Sequence, residues 1–121
     1  MYLTVLLVED DDIVRELMAE ALLMLDVKVI PCVNADKALE KLESTVLVNL
    51  VLTDIRMPGR LDGLQLAKLV AERWPELPII VTSGNRLEMD ALPPQAFFLA
   101  KPWTLDVLFN LIEPFLLGSE P

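Results

Sequence analysis

The sequence predicts an α/β domain whose parallel sheet is covered by helices on both faces. Three observations carry this reading. Short β-branched and leucine-rich runs alternate with apolar patterns of helical period five times along the chain, without repeats or linkers. That alternation specifies strands paired in parallel with helices crossing over them. The strand runs are apolar almost throughout, as expected of strands buried on both faces. Finally, the runs stop abruptly in polar groups: Glu9-Asp10, Asp54, Thr82-Ser83 and Lys101. Right-handed crossovers send the carboxyl ends of parallel strands to one edge, the edge at which open α/β sheets bind ligands.

Size and charge narrow the function. The 121 residues have room for a single domain, 1–121, so any activity lives on one unit. A hydrophobic content of 54% excludes disorder. No apolar run approaches the ~18 residues that cross a bilayer. The first residues pass straight into a strand pattern without a secretory signal, so the expected location is the cytoplasm. Cys32 is the one cysteine, which rules out an internal disulfide and multi-cysteine metal sites. The net charge of −9 argues against a nucleic-acid partner. Without histidine the chain has no Ser-His-Asp or Cys-His chemistry; acids, hydroxyls and lysine remain.

In order, Leu3 to Val8 reads as the first strand, ending in the four consecutive acids Glu9 to Asp12. Capping by Asp11 or Asp12 explains one or two of them. Ile13, Val14, Leu17, Met18, Ala21, Leu22 and Leu25 recur at helical spacing as a core face, with Arg15, Glu16 and Glu20 toward water. Val27 to Val33 is a second strand, placed near an edge by Pro31. Asn34 caps a helix with Ala35, Ala38, Leu39 and Leu42 on its apolar side. The central strand starts somewhere between Val46 and Leu50 and closes on Asp54 before a Met57-Pro58-Gly59 turn. Taken alone, Asp54 suits capping of that turn as well as it suits chemistry.

Asp62 or Gly63 opens a third helix with Leu64, Leu66, Ala67, Val70, Ala71 and Trp74, stopped by Pro75. Pro78 to Val81 is a fourth strand ending in Thr82-Ser83-Gly84, and Ala96 to Ala100 a fifth ending in Lys101-Pro102. Thr104 caps a last helix carrying Leu105, Leu108, Leu111, Ile112 and Phe115, with Pro114 expected to bend or fray its final turn. Residues 118–121 read as an unstructured tail.

Glu9, Asp10, Asp54, Thr82 and Lys101 are therefore expected to converge. Clustered carboxylates beside one lysine suit a hard divalent cation such as Mg²⁺, without which at least one acid is harder to ionise. With a phosphoryl group as third component, cation and ammonium neutralise its oxygens, the hydroxyl donates a hydrogen bond, and Asp54 is best placed to attack.

Four stretches carry a family resemblance: Val5-Leu6-Leu7-Val8-Glu9-Asp10-Asp11, Val51-Leu52-Thr53-Asp54-Ile55-Arg56-Met57-Pro58-Gly59, Val81-Thr82-Ser83-Gly84 and Phe98-Leu99-Ala100-Lys101-Pro102. Over essentially its whole length the chain resembles the receiver domains of two-component response regulators. The resemblance implies a three-layer, doubly wound, flavodoxin-like fold with strand order 2-1-3-4-5. It implies Asp54 as phospho-acceptor, Asp10 as a direct Mg²⁺ ligand beside Asp54, Glu9 holding a metal-bound water, and the main-chain carbonyl of Arg56 as a further ligand. Thr82 looks like the hydroxyl that contacts the phosphoryl group, Lys101 like the lysine that ion-pairs with it, and Lys101-Pro102 like a cis peptide. Thr82 and Phe98 match the switch pair.

The implied partners are a histidine kinase or phosphotransfer protein and a downstream protein target, with a homodimer possible, and with no direct nucleic-acid contact or membrane insertion. The implied chemistry is self-phosphorylation with slow self-dephosphorylation and no further enzymatic activity. The chain departs from the family pattern between Asn85 and Gln95, where Pro93-Pro94 leave room for only a turn or two of the fourth helix. That segment belongs to the family's usual output face, and Trp103 beside it suits a partner contact or a core position equally. The competing readings are a haloacid-dehalogenase-type aspartyl-phosphate phosphatase, which wants an acid where Arg56 stands, and a receiver cut from a hybrid kinase. A flavin or dinucleotide site lacks its Gly-rich loop after the first strand.

Overall fold

The structure, a computed structural model, describes residues 3–57 and 59–118. The chain alternates β1 (Thr4–Val8), α1 (Asp12–Leu23), β2 (Lys28–Cys32), α2 (Ala35–Glu43), β3 (Leu50–Asp54), α3 (Gly63–Arg73), β4 (Ile79–Ser83), a short 3-10 helix (Arg86–Ala91), β5 (Ala96–Ala100) and α4 (Leu105–Gly118). All five strands are parallel in the order β2-β1-β3-β4-β5, the doubly wound arrangement expected.

Alternation of side chains splits the core into two layers. On one face Leu6, Val8, Val51, Ile79 and Val81 pack against Ala35, Ala38 and Leu42 of α2 and Leu66, Ala67 and Val70 of α3. On the other, Val5, Leu7, Leu50, Leu52 and Ile80 pack against Met18 and Leu22 of α1 and Leu108 and Ile112 of α4. β1, β3 and β4 lie between two strands each, and every residue of β3 and β4 is buried. Each fully buried aliphatic side chain contributes about 1.5–3 kcal/mol.

The helices begin where the sequence places their caps. Asp11 accepts from the amides of Ile13 and Val14 at 2.9 and 3.0 Å, Asn34 from Lys37 at 2.8 Å, and Thr104 from Val107 at 3.3 Å. Asp62 and Gln65 form a reciprocal capping box at the start of α3.

Several expectations are corrected. In α1 the buried positions are Met18, Ala21 and Leu22, whereas Ile13 and Leu17 are 72% and 61% exposed and Val14 is also at the surface. Its apolar stripe is wider than the strip that the sheet covers. β2 is shorter than the Val27 to Val33 run, and it is an edge strand that tolerates Pro31. The start of β3, left open by the sequence, falls at Leu50, and Val46 and Leu47 before it are exposed. α4 continues through Pro114 to Gly118, so Gly118 belongs to the helix, and the rest of the expected tail, 119–121, lies outside the described residues. Tertiary contact outweighs the proline: Phe115, one residue on, meets Phe97 of β5 edge-to-face at 5.4 Å. Pro58, in the turn expected after Asp54, is likewise outside the described residues. No described helix is long and apolar enough to cross a membrane.

Candidate functional site

The backbone ladder runs one step beyond several strand ends and so levels the polar groups at one edge. Glu9 N–H bonds the Cys32 carbonyl at 3.1 Å, Ile55 N–H the Thr82 carbonyl at 3.1 Å, and Lys101 N–H the Ser83 carbonyl at 2.9 Å. Asp54 and Thr82 are direct register partners. The start of α3 closes tightly beneath: Gly63 N–H bonds the Ile55 carbonyl at 2.8 Å, and a Cβ on Gly63 would lie 1.9 Å from the Asp54 carbonyl oxygen. Only glycine fits where helix and strand backbones approach this closely.

Glu9, Asp10 and Asp54 converge as expected, each offering a carboxylate oxygen within 4.8 Å of the others. Glu9 and Asp54 are 4% and 8% exposed, while Asp10 faces solvent. Asp54 Oδ2 accepts from Lys101 Nζ at 2.7 Å and its Oδ1 from the Arg56 amide at 3.3 Å. Glu9 Oε2 accepts from the Asp11 amide at 3.1 Å. Burial pushes the Glu9 carboxyl above its ordinary range, helped by the charge of Asp54 and a hydrogen bond with Asp10; the Asp11 amide and Lys101 pull the other way. The upward shift of Glu9 and the ammonium on Asp54 are both responses to the crowding of like charges.

This donor set fits a hard divalent cation, which prefers carboxylate and carbonyl oxygens. Around Mg²⁺ adjacent ligands stand about 3 Å apart and opposite ones about 4.2 Å, so carboxylate oxygens gathered within 4.8 Å of one another need only a modest closure.

Thr82 is buried beside Asp54 in the sheet. Phe98 is half-buried and lines a groove of about 510 Å³ with Trp103, Val107 and Leu111. Trp103 packs on the core layer of α1 and α4, so part of its ring is accounted for structurally. The Lys101-Pro102 peptide is cis. Another groove of about 510 Å³, lined by Val48, Trp74 and Pro78, lies at the amino ends of β3 and β4, away from the acids.

The four consecutive acids divide their work. Glu9 and Asp10 enter the cluster, Asp11 caps α1, and Asp12 pairs with Arg15 at 2.5 Å. Arg15 is the correction here: expected in water, its side chain is only 17% exposed, and Nη1 donates to the Glu9 carbonyl at 2.8 Å. The Asp12-to-Arg15 spacing, i to i+3 on a helix, was the available signal.

A family model described as the response regulator receiver domain matches residues 5–113. The response regulator FleR of Pseudomonas aeruginosa is 33% identical over 97% of this chain, which spans about a quarter of FleR's length. The response regulator receiver protein CpdR of Brucella abortus is 35% identical over 95% of this chain and 98% of its own. The crystal structure of a response regulator receiver protein from Sinorhizobium medicae superposes with a TM-score of 0.86 over 98% of both chains at 28% identity.

Proposed function

The chain belongs to the response regulator receiver domain family, and from that premise we propose that it accepts a phosphoryl group on Asp54 from a kinase or phosphotransfer-protein phosphohistidine and signals through a changed protein surface. The observation that carries this reading is the placement of Asp54: nearly buried at the sheet edge, 2.7 Å from the Lys101 ammonium and within reach of Glu9 and Asp10.

In this reading an Asp54 oxygen attacks phosphorus as the donor's P–N bond breaks, and the leaving imidazole keeps the bonding pair. Lys101 moves from the Asp54 carboxylate to a phosphoryl oxygen. The Thr82 hydroxyl donates to another, drawing the end of β4 inward, and Phe98 follows into the space vacated. Asp10, Asp54 and the Arg56 main-chain carbonyl are the groups that would hold Mg²⁺, with Glu9 supporting them. When bound, the cation would supply neutralisation of phosphoryl charge. The chain acts in the cytoplasm as a phospho-acceptor that dephosphorylates itself slowly, and any DNA contact lies outside this domain.

The test is Mg²⁺ with acetyl phosphate, followed by intact mass. One phosphoryl group per chain is expected, and none on Asp54→Asn. Unchanged labelling of Asp54→Asn would remove Asp54 from the role, and turnover of many phosphate esters per molecule would favour a phosphatase.

A further inference from the structure

We infer that Arg15 is a positioning residue for the acid cluster: its guanidinium fixes the peptide between Glu9 and Asp10, and with it the direction of the Asp10 carboxylate. The inference rests on the proposed cation site and extends it to a side chain that contacts neither cation nor phosphoryl group.

The geometry is specific. Arg15 Nη1 donates to the Glu9 carbonyl at 2.8 Å and Nη2 to Asp12 Oδ1 at 2.5 Å. The Glu9 amide is held from the other side by the Cys32 carbonyl at 3.1 Å. The backbone of Glu9 is thus clamped between β2 and α1. Because a peptide unit is planar, fixing the Glu9 carbonyl fixes the nitrogen of Asp10 and limits where its Cβ points. Asp10 is the cluster member that faces solvent. It therefore lacks the packing that orients Glu9 and Asp54, and beside its hydrogen bond with Glu9 the backbone supplies its orientation.

The second contact acts in the same direction. Asp12, whose side chain is 86% exposed, is drawn to Arg15 and is not part of the three-acid cluster. Arg15 itself is 83% covered, and a guanidinium so enclosed needs its fixed fork satisfied. The Glu9 carbonyl and the Asp12 carboxylate do this from two directions.

Positioning and plain electrostatics predict opposite signs, which makes the inference decidable. A cation near an acid cluster repels Mg²⁺, so removing its charge alone would tighten binding. Loss of a group that orients a ligand weakens binding, about tenfold or more for partners of metal ligands.

The experiment is calorimetric titration of the metal-free chain with Mg²⁺, alongside amide NMR shifts of Glu9 and Asp10. Arg15→Met is expected to weaken binding about tenfold and to displace both amide signals. Arg15→Lys, which keeps a donor and the charge, should recover most of the affinity. Asp12→Asn should stay within about twofold, since the Glu9 contact survives it. Arg15→Gln takes the place of the methionine variant if that one fails to fold. Equal or tighter binding by Arg15→Met, or equal losses for Met and Lys, would overturn the inference while leaving the proposed function standing. A wild-type chain that does not bind Mg²⁺ would overturn both.

Discussion

Lys101 Nζ stands 2.7 Å from Asp54 Oδ2, a bond that reaches past β4 to join the end of β5 to the end of β3. It ties together residues 47 positions apart and places one cation against three gathered acids. This ammonium is a neutralising charge in direct contact with the Asp54 carboxylate. In the proposed reaction the same atom lets go of Asp54 to meet the incoming phosphoryl group.

Lys101→Ala should therefore separate two effects. The pair is partly exposed, Lys101 at 39% of its side chain, so its loss is expected to cost only about 1 kcal/mol at low salt. In a domain of this size that lowers Tm by about 3 °C. Mg²⁺ should bind as well or better, because a competing cation is gone, whereas the yield of phosphorylated chain falls. A rise in Tm of the metal-free variant would contradict the account of Lys101 as counter-charge.

Asp10→Ala should act in the reverse sense. Asp10 is exposed and adds a like charge beside Glu9 and Asp54, so removing it relieves repulsion. The metal-free variant is expected to melt at or above the wild-type temperature, and its Mg²⁺ affinity to fall at least about tenfold. A loss of several degrees in metal-free buffer would show Asp10 to be a structural residue instead.

The pH dependence follows from Glu9. Its folded-state pKa lies above the ordinary value, chiefly because the carboxyl is buried and then because of Asp54 and Asp10. The native state thus holds this proton more tightly than the unfolded chain. The stability it contributes is complete below the unfolded pKa and is lost as pH rises through the folded one. Glu9→Gln should accordingly raise Tm of the metal-free chain near neutral pH and give no advantage at about pH 4. Parallel melts in citrate and phosphate check this, and an equal gain at both pH values would rule out titration of Glu9 as the cause.

Most of the fold was legible because the strand runs and caps are local signals. β3 is apolar on both faces and closes on Asp54, and Asp11, Asn34, Asp62 and Thr104 stand at helix starts as capping chemistry requires. The convergence of Glu9, Asp10, Asp54 and Lys101 was legible too, since parallel topology leaves strand ends only one edge to share. Arg15 was not. Helical periodicity places it on a polar face, and only the turn back from β1 to α1 brings the Glu9 carbonyl under its guanidinium. Nor was the exposure of Ile13 and Leu17, since periodicity gives the apolar side of a helix but not how much of it a neighbour covers.

Gly63 offers the sharpest test of how the site is built. A Cβ there would meet the Asp54 carbonyl oxygen at 1.9 Å and the Ile55 Cα at 2.7 Å, both backbone atoms that cannot rotate aside. Gly63→Ala must push α3 away from β3, at a cost of about 3 kcal/mol or more. Because the displaced backbone belongs to Asp54 and its successor, Mg²⁺ affinity should fall together with stability. Gly84, just beyond β4, is the internal control, with nothing within 4 Å of its would-be Cβ. Gly84→Ala is expected to stay within about 0.5 kcal/mol of wild type. Urea melts of both variants, each with a Mg²⁺ titration, give the comparison. Equal stabilities would mean that α3 does not rest on the Asp54 backbone, and that the edge of the sheet is organised without it.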